Sequence, residues 1–498
     1  MIAWIFIVLL VFYLVRKFFQ QRAYENTILK HGCSPPPQYQ HKDPILGIDL
    51  FLSTVRSISA GNSFIHSQSL FGKYGKTFET NSFGKRVLLT MDSENIHAIL
   101  VTLQRKFLVE ELRIRATENF LGRGVFNTDG PSWEHSRALL RPIFARAQIS
   151  NLGHLEARVD ALIGLIPRDG STVDLLPLLK RLFLDTSTEF IFGESVNTLV
   201  PGTSSFDAQN FLGAFDTALK GIGIRIVLGR LAFLQGIDTH WKKACQVVHS
   251  FIDRNIDVAI QRRNRNSQDS TKRSFVLLDE LVKETQDRLY LRSQLLNIFL
   301  PARDSTAIGI ANVFFLIARH PLVWDKLRAE VLNNDAPVNF ETLKSMKYVR
   351  HVVNESLRLI APSGRNLRLA TEDCILPHGG GADGSQPIFV QKGTEVMFVF
   401  RSMHYDEDLW GEDADDFRPE RWERSDSIPQ HGYVPFSAGG RVCPAQQMVL
   451  TECAYILVRL VREFEKIENR DPEESFIEQH KLQMESRNGV KVAFTVAT

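Results

Sequence analysis

The chain has 498 residues, with 59 Lys and Arg, 57 Asp and Glu, and a formal net charge of +2 at pH 7. Its content of 44% hydrophobic and 23% charged residues is typical of globular proteins and excludes a disordered or collagen-like chain. A net charge this close to zero gives no electrostatic reason to expect nucleic-acid binding, and five cysteines in so long a chain do not indicate a disulfide framework.

The N-terminus carries an unbroken apolar run, residues 2–15, which is followed by Arg16 and Lys17. A helix of this length measures about 21 Å, short of a hydrocarbon core of about 30 Å, but the flanking residues can extend it. No charged segment precedes the run and no small-residue cleavage site follows it, which favours an uncleaved anchor over a signal peptide or a buried core helix. We predict a single transmembrane helix in residues 1–20, a linker with a Pro-rich hinge in 21–44 and one cytosol-facing domain in 45–498.

The rest of the chain is predicted to be mainly α-helical with small β-sheets. Amphipathic patterns predict helices over residues 92–103, 131–144, 155–166, 173–192, 240–263, 290–319, 348–359 and 446–464. Short strand patterns lie at 77–80 and 86–90, and a Gly-rich stretch at 378–386 reads as a hairpin loop. Residues 482–486 and 490–495 flank Asn488-Gly489, which predicts a second hairpin near the C-terminus.

The most informative segment runs from Phe436 to Ala445 and contains two glycines, Arg441 and Cys443. An apolar helical pattern begins directly after it, so we expect Cys443 at the N-cap and Pro444 at the first helical position. A helix N-terminus and a nearby arginine both favour an anionic sulfur, which is suited to binding a metal. Cys245, Cys374 and Cys453 are interpreted as small buried residues.

This segment resembles the haem-binding signature of the cytochrome P450 family, Phe-x-x-Gly-x-Arg-x-Cys-x-Gly. Phe436, Gly439, Arg441 and Cys443 match it, and Ala445 replaces the last glycine. The resemblance implies the mainly helical α+β fold of that family and haem b with the Cys443 thiolate as axial ligand of the iron. Ala445 is compatible with this role if its φ is negative.

Two further segments resemble the family's structural ion-pair trio. Glu355 and Arg358 match its Glu-x-x-Arg on a predicted helix, and the resemblance of residues 417–422 assigns the third position to Arg421. Loss of one member of such a buried trio leaves a charge unpaired.

The resemblance also implies a set of side chains for the haem propionates. Trp133 and Arg137 match the family's Trp-x-x-x-Arg, Arg368 lies where many relatives place an arginine, and Arg441 completes the set. The alternative for Arg137 and Arg368 is an ordinary solvated arginine.

The long predicted helix contains Pro301-Ala-Arg-Asp304-Ser305-Thr306, which resembles the family's Ala/Gly-Gly-x-Asp/Glu-Thr-Thr. In the family the acid and the alcohol deliver protons for dioxygen cleavage, which assigns catalytic roles to Asp304 and to Ser305 or Thr306. Pro301, Ala302 and Ser305 depart from the pattern and affect proton delivery and pocket shape. The alternative for Asp304 is pairing with a helix N–H or an arginine.

Residues 31–37, 42–51, 365–368 and 411–415 look like the fungal branch that hydroxylates alkanes and fatty acids. The resemblance implies a monooxygenase in the endoplasmic reticulum membrane, facing the cytosol, that takes NADPH electrons from a cytochrome P450 reductase and acts on an apolar small molecule. The substrate would be a long alkyl chain, a fatty acid or a related secondary metabolite. Two alternatives stay open: a haem-thiolate isomerase or dehydratase that works without dioxygen, and a non-catalytic haem-binding scaffold.

Overall fold

The protein was analysed as a computed structural model. It describes residues 4, 11, 12, 15, 19, 22, 24, 26–43, 45–140, 143–144, 152–200, 206–228, 238–264, 275–424 and 428–497. Most of the predicted anchor, residues 1–20, therefore lies outside the described residues. The five of its positions that are described are helical, and their side chains are exposed. The domain limits at residues 20 and 44 stay predictions.

Helices form most of the described structure. They are α1 Ile48–Ala60, α2 Ser63–Tyr74, α3 Ser93–His97, α4 Glu110–Leu121, α5 Gly130–Leu140, α6 Gly153–Gly164, α7 Leu175–Phe192, α8 Phe206–Leu228, α9 Thr239–Asn264, α10 Leu277–Glu284, α11 Arg288–Ile317, α12 Pro321–Leu332, α13 Phe340–Ser345, α14 Lys347–Ile360, α15 Phe400–His404, α16 Glu407–Trp410 and α17 Gln446–Glu463. A π-helical turn, Ala98–Thr102, continues α3. The predicted helical class with small sheets is confirmed.

The strands are short and form four small sheets. They are β1 Thr77–Ser82, β2 Lys85–Thr90, β3 Phe107–Leu108, β4 Val173–Asp174, β5 Asn366–Ala370, β6 Cys374–Gly380, β7 Gln386–Val390, β8 Glu395–Phe398, β9 Phe464–Asn469, β10 Glu478–His480, β11 Met484–Ser486 and β12 Lys491–Val496. The largest sheet has the order β1-β2-β8-β5-β3, with β2 and β8 parallel and the other neighbours antiparallel. The others have the orders β4-β12-β9, β6-β7 and β10-β11.

The long helix α11 forms the centre of the fold. The Asp287 side chain accepts hydrogen bonds from the N–H groups of Leu289 and Tyr290 and so caps its N-terminus. Its C-terminal half packs with α7, α14 and α17 in one hydrophobic core. Its N-terminal half packs in a second core with α8, α9 and α10. Residues in the middle of α11 therefore lie between the two cores, where a buried site can form.

No single helix among the described residues is long and apolar enough to cross a membrane. Helices α11 and α12 pass that test only as a pair, bent by 112° at the break between them. Both contribute to the buried core, which is typical of the interior helices of a globular domain.

Most predicted elements are confirmed, with ends displaced by a few residues. The predicted helix at 92–103 is instead the short α3 followed by the π-helical turn, and the predicted C-terminal hairpin is wrong. The chain does turn at Gly489, whose φ is +77°, but β11 pairs with β10 and β12 pairs with β9 and β4. The longer β9 offers β12 more ladder hydrogen bonds than β11 can, so tertiary pairing overrides the local turn signal.

Candidate active site

The site is organised around the cysteine loop, which we define as residues 436–445. The Cys443 N–H donates to the Phe436 carbonyl at 2.9 Å, and the Val442 N–H donates to the Gly439 carbonyl at 3.1 Å. These bonds close the loop on itself and fix the position of the Cys443 backbone. The loop therefore presents one sulfur in a set geometry.

Helix α17 begins later than the sequence predicts. Ala445 is the N-cap and Gln446 the first helical residue, so the prediction of Cys443 as N-cap and Pro444 as first helical residue is wrong. The 3.4 Å bond from the Gln446 N–H to the Cys443 carbonyl instead closes a turn before the helix. Ala445 has a φ of −92°, so the negative φ that its side chain requires is present.

Burial raises the pKa of the Cys443 thiol, while the Ala445 N–H and the Arg137 guanidinium act in the opposite direction. A thiol in this state keeps its proton until a metal ion takes the proton's place, because coordination by a cationic metal deprotonates a thiol outright. This half-buried sulfur, with an adjacent N–H and a nearby positive charge, suits a thiolate ligand of iron.

Gly439 is required by its surroundings. It has a φ of +65°, and a Cβ on it would lie 1.9 Å from the Leu100 carbonyl oxygen in the π-helical turn. The neighbouring Gly440 N–H donates to the Gln104 side chain at 2.7 Å. The cysteine loop is thus pressed against residues 98–106, and only glycine allows this approach at position 439.

Arg441 of the loop and two neighbouring arginines, Arg113 and Arg368, outnumber the carboxylates close to them. Arg441 pairs with Asp129, donates to the Thr128 carbonyl at 2.6 Å and lies 4.7 Å from the Trp133 ring centre. Arg368 donates to the Asn366 side chain at 2.8 Å. Arg113 donates to the same Asn366 oxygen at 3.0 Å. Asn366 therefore brings Arg113 and Arg368 together.

Burial lowers the pKa of Arg113 to about 10 and that of Arg368 to about 9, and repulsion among the arginines adds to both shifts. Asp129 is the one carboxylate that opposes these shifts. Buried guanidinium groups in excess of carboxylates are stabilised by additional anions. The two propionates of a haem are anions of this kind, so the residues present fit that group.

The predicted residues Trp133 and Arg137 lie on α5 beside this cluster. A Cβ on Gly440 would lie 3.3 Å from the Trp133 ring, which places Trp133 against the cysteine loop. Arg137 makes no hydrogen bond to any residue in the described ranges, and burial lowers its pKa while Cys443 raises it. Arg113 was not predicted from the sequence, since no spacing relates it to the cysteine loop.

The structure also brings Glu355, Arg358 and Arg421 into contact. Arg358 binds both carboxylate oxygens of Glu355, at 2.9 and 2.8 Å, and Arg421 donates to one of them at 3.3 Å. Trp422 donates to the other carboxylate oxygen at 2.9 Å. Arg358 also donates to the His404 and Ala414 carbonyls, both at 2.6 Å. The trio thus ties α14 to the segment that precedes the cysteine loop, which is a structural role.

The distal segment, which we define as residues 301–306 of α11, carries the predicted catalytic residues. The helix continues through Pro301, which has no N–H to donate to the carbonyl of residue 297. Oδ1 of Asp304 is buried without a hydrogen-bond partner in the described structure and lies 3.6 Å from Nε of Arg303. Thr306 is buried and makes no hydrogen bond to a described residue.

Two side chains outside the motif contact the distal segment. The Gln483 amide, in the turn between β10 and β11, donates to Oγ of Ser305. Arg303 forms an ion pair of 2.7 Å with Asp216 of α8. Nothing in the sequence identifies Gln483 or Asp216, because each reaches α11 only through the tertiary fold.

Comparison with known proteins adds independent information. A model of the cytochrome P450 family matches residues 37–492. The chain is 38% identical to cytochrome P450 monooxygenase himC of Aspergillus japonicus, over 96% of this chain and 86% of the relative. It is 37% identical to cytochrome P450 monooxygenase iccC of Talaromyces variabilis, over 93% of this chain and 92% of that relative. It is also 37% identical to cytochrome P450 52A3-B of Candida maltosa, over 89% and 88%.

Proposed function

This chain belongs to the cytochrome P450 family, and on that basis we propose that it is a membrane-anchored monooxygenase acting on an apolar molecule with a long alkyl chain. The family carries haem with a cysteine thiolate on the iron and uses NADPH electrons delivered by a reductase. In the proposed reaction one atom of dioxygen enters a C–H bond and the other leaves as water. The observation that carries the proposal is the half-buried Cys443 in a closed loop beside the surplus of arginines.

Haem, when bound, supplies the activation of dioxygen, and the protein supplies its position and the protons. Cys443 would ligate the iron, and Arg113, Arg368 and Arg441 would pair with the propionates. Trp133 and Arg137 would complete that side of the site from α5. The shared contact of Arg113 and Arg368 with Asn366 orients both guanidinium groups toward the same region.

Proton delivery is assigned to Asp304, Ser305 and Thr306. Ser305 accepts from Gln483, so its own O–H hydrogen is free to donate into the pocket. Oδ1 of Asp304 makes no hydrogen bond to a described residue and lies 3.6 Å from Nε of Arg303, so it is available for an ordered water. An acid and an alcohol on adjacent positions can pass a proton between solvent and the pocket.

An apolar substrate is supported by the aromatic side chains that pack against the N-terminal half of α11. Phe211 and Phe215 of α8 are buried against Phe299 of α11 and Phe120 of α4. Two relatives are cytochrome P450 52A13 of Debaryomyces hansenii and cytochrome P450 52A3-B of Candida maltosa. They support the proposal together with the resemblance of residues 31–37, 42–51, 365–368 and 411–415 to the fungal alkane- and fatty-acid-hydroxylating branch. The substrate class that these features favour is a fatty acid, an alkane or a secondary metabolite with an alkyl chain.

Anchoring in the endoplasmic reticulum membrane is supported by exposed apolar side chains at the N-terminal end. Trp4 is 71% exposed, Phe12 66% and Phe19 65%. Leu29, at 74%, and Ile65, at 67%, extend this exposure into the folded domain. Large exposed apolar side chains close together in the chain favour contact with a lipid bilayer. The catalytic domain would then face the cytosol, where its partner reductase is reached.

The decisive experiment is the carbon monoxide difference spectrum of the reduced, membrane-bound protein, followed by turnover with and without reductase. A strongly red-shifted haem band and product formation only with reductase, NADPH and dioxygen are expected. Conversion of a peroxide or oxime without reductase would instead favour the isomerase or dehydratase, for which the altered residues Pro301, Ala302 and Ser305 leave room. A folded protein without a haem band would contradict both haem-thiolate enzymes and leave only a non-catalytic membrane scaffold.

A further inference from the structure

A cluster of two histidines and a glutamate lies away from the distal pocket, and we call it the histidine cluster: Glu94, His97 and His431. One ligand atom from each of these residues lies within 4.8 Å of the others. Among the residues that the structure describes, this is the one group of at least three such side chains with metal-binding spacing. None of the three residues has a role in the proposed oxidation.

Local structure brings the three together. Glu94 and His97 are three residues apart on α3, so their side chains share one face of the helix. His431 lies in a turn closed by the 3.1 Å bond from the Gly432 N–H to the Pro429 carbonyl. Its ring stacks on that of His97 with a centroid separation of 3.6 Å and an angle of 25° between the ring planes. Helix and turn each therefore supply ligands from a fixed backbone.

The two imidazoles are available for binding. Within the described part of the chain, neither His97 nor His431 has a hydrogen bond to a ring nitrogen, whereas the buried His404 donates or accepts at both of its ring nitrogens. A ring nitrogen that carries no hydrogen bond can offer its lone pair to a metal ion.

We propose that Glu94, His97 and His431 form a site for a divalent transition metal of the Zn²⁺ class. Two imidazoles and one carboxylate are a donor set that zinc prefers, while Mg²⁺ and Ca²⁺ require oxygen ligands throughout. Zn–N distances of about 2.0–2.1 Å require the ligand atoms to close in by side-chain rotation. The exposed Glu94 side chain is free to make that movement, and a water completes a four-coordinate ion.

A bound ion would connect two segments that hold the cysteine loop. Helix α3 leads directly into the π-helical turn, whose Leu100 carbonyl is packed against Gly439. His431 lies on the chain that leads into Phe436 and the loop. The metal would therefore link both sides of this contact and stabilise it.

The test is zinc binding to the tag-free, haem-loaded protein after treatment with a chelator, measured by titration calorimetry with ZnCl₂. We expect one zinc per chain, with binding weakened more than about tenfold in His97→Gln and in His431→Gln. Glu94→Gln should weaken it less, because both imidazoles remain. The matched control is His240→Gln, an exposed histidine at the start of α9, which should bind as the parent does.

The carbon monoxide difference spectrum of each variant shows whether its fold and haem site are intact, so a failed fold is recognised independently of zinc binding. X-ray absorption at the zinc edge should show two imidazole ligands in the parent and fewer in each histidine variant. Equal zinc affinity in the parent and in an intact His97→Gln/His431→Gln double variant would overturn the proposal. Weakening by His240→Gln of the same size would also overturn it, since binding would then not depend on the histidine cluster.

Discussion

The cysteine loop and the distal segment are held in place in different ways. The loop is closed by backbone hydrogen bonds, such as that from Cys443 to Phe436, and by the contact of Gly439 with the Leu100 carbonyl. The distal segment depends on side-chain contacts with Gln483 and Asp216. Buried polar atoms of Arg303 and Asp304 in the segment, and of Gln483 beside it, make no hydrogen bond in the described structure.

This difference explains where the sequence can depart from the family pattern. A backbone-defined loop tolerates little change, because a wrong side chain meets atoms that cannot move. Side-chain contacts can be replaced by others, so the distal segment can accept Pro301, Ala302 and Ser305. We therefore call the cysteine loop the fixed side of the site and the distal segment its adjustable side.

Replacing Cys443 tests the fixed side most directly and has the largest expected effect. Cys443→Ala should abolish the red-shifted carbon monoxide band and all monooxygenase turnover, because alanine offers no ligand to the iron. The matched control is Cys453→Ala on α17, which removes a buried thiol that points into the core and should keep the band. Turnover by Cys443→Ala at the parent rate would contradict the assignment.

The second-largest effect is expected on stability, from the buried trio of Glu355, Arg358 and Arg421. Glu355→Gln leaves Arg358 and Arg421 buried without their shared carboxylate, which should cost about 3–5 kcal/mol of stability. The denaturation midpoint in urea, followed by the haem band, measures this loss. The control is Lys326→Ala, which breaks a 2.6 Å ion pair with Glu420 whose lysine is 59% exposed and should cost less than about 1 kcal/mol. Similar costs for both variants would contradict a special role for the trio.

Adjacent glycines provide a narrower test of the loop itself. Gly439→Ala forces a side chain into left-handed backbone, at about 1–2 kcal/mol, and against the Leu100 carbonyl oxygen. At Gly440 an added Cβ meets the end of the Gln104 side chain at 2.8 Å, which can move aside. We expect Gly439→Ala to reduce haem content and thermal stability clearly more than Gly440→Ala does. A larger loss in Gly440→Ala would show that the close contact between position 439 and the Leu100 carbonyl does not limit haem binding or stability.

The sequence predicts the elements whose signal is local. The periodicity of residues 290–319 and 446–464 is strong enough to place α11 and α17 within two residues at either end. Helix α8 was not predicted, although its buried residues Phe211, Ala214, Phe215, Ala218 and Ile222 form one stripe. Apolar residues outside the stripe, such as the exposed Ile224 and Ile226, obscure this periodicity in the sequence. The prediction of a C-terminal hairpin is wrong for a different reason. Strand β12 pairs with β9 and β4 and not with β11, the strand that precedes it in the chain.

The site follows the same rule. Cys443, Glu355 and Arg358 belong to motifs in which spacing along the chain sets the geometry, and the structure brings them where the motifs require. Arg113 reaches Arg368 only through Asn366, which is 253 residues away from it in the chain. Gln483 is 178 residues from Ser305. No local sequence pattern predicts contacts between residues so far apart in the chain, and only the structure shows them.

The smallest expected effect concerns the adjustable side, at Gln483. Gln483→Leu removes the amide that donates to Ser305, so the serine hydroxyl can rotate away from the pocket. A single hydrogen bond of about 1 kcal/mol corresponds to about a fivefold change in a rate. We expect the product formed per NADPH consumed to fall about two- to fivefold while the carbon monoxide band stays unchanged. Hydrogen peroxide release, measured alongside, should rise to account for the difference.

A matched control lies on the same hairpin. Gln479 of β10 is the same residue type and pairs with Glu485 across the two strands, and no hydrogen bond joins its side chain to α11 in the described structure. Gln479→Leu should therefore leave the ratio of product to NADPH at the parent value. If Ser305→Ala lowers that ratio and Gln483→Leu adds nothing in the double variant, the two residues act as one unit. An unchanged ratio in Gln483→Leu would show that Ser305 is oriented by α11 alone, and the distal segment would then be as fixed as the cysteine loop.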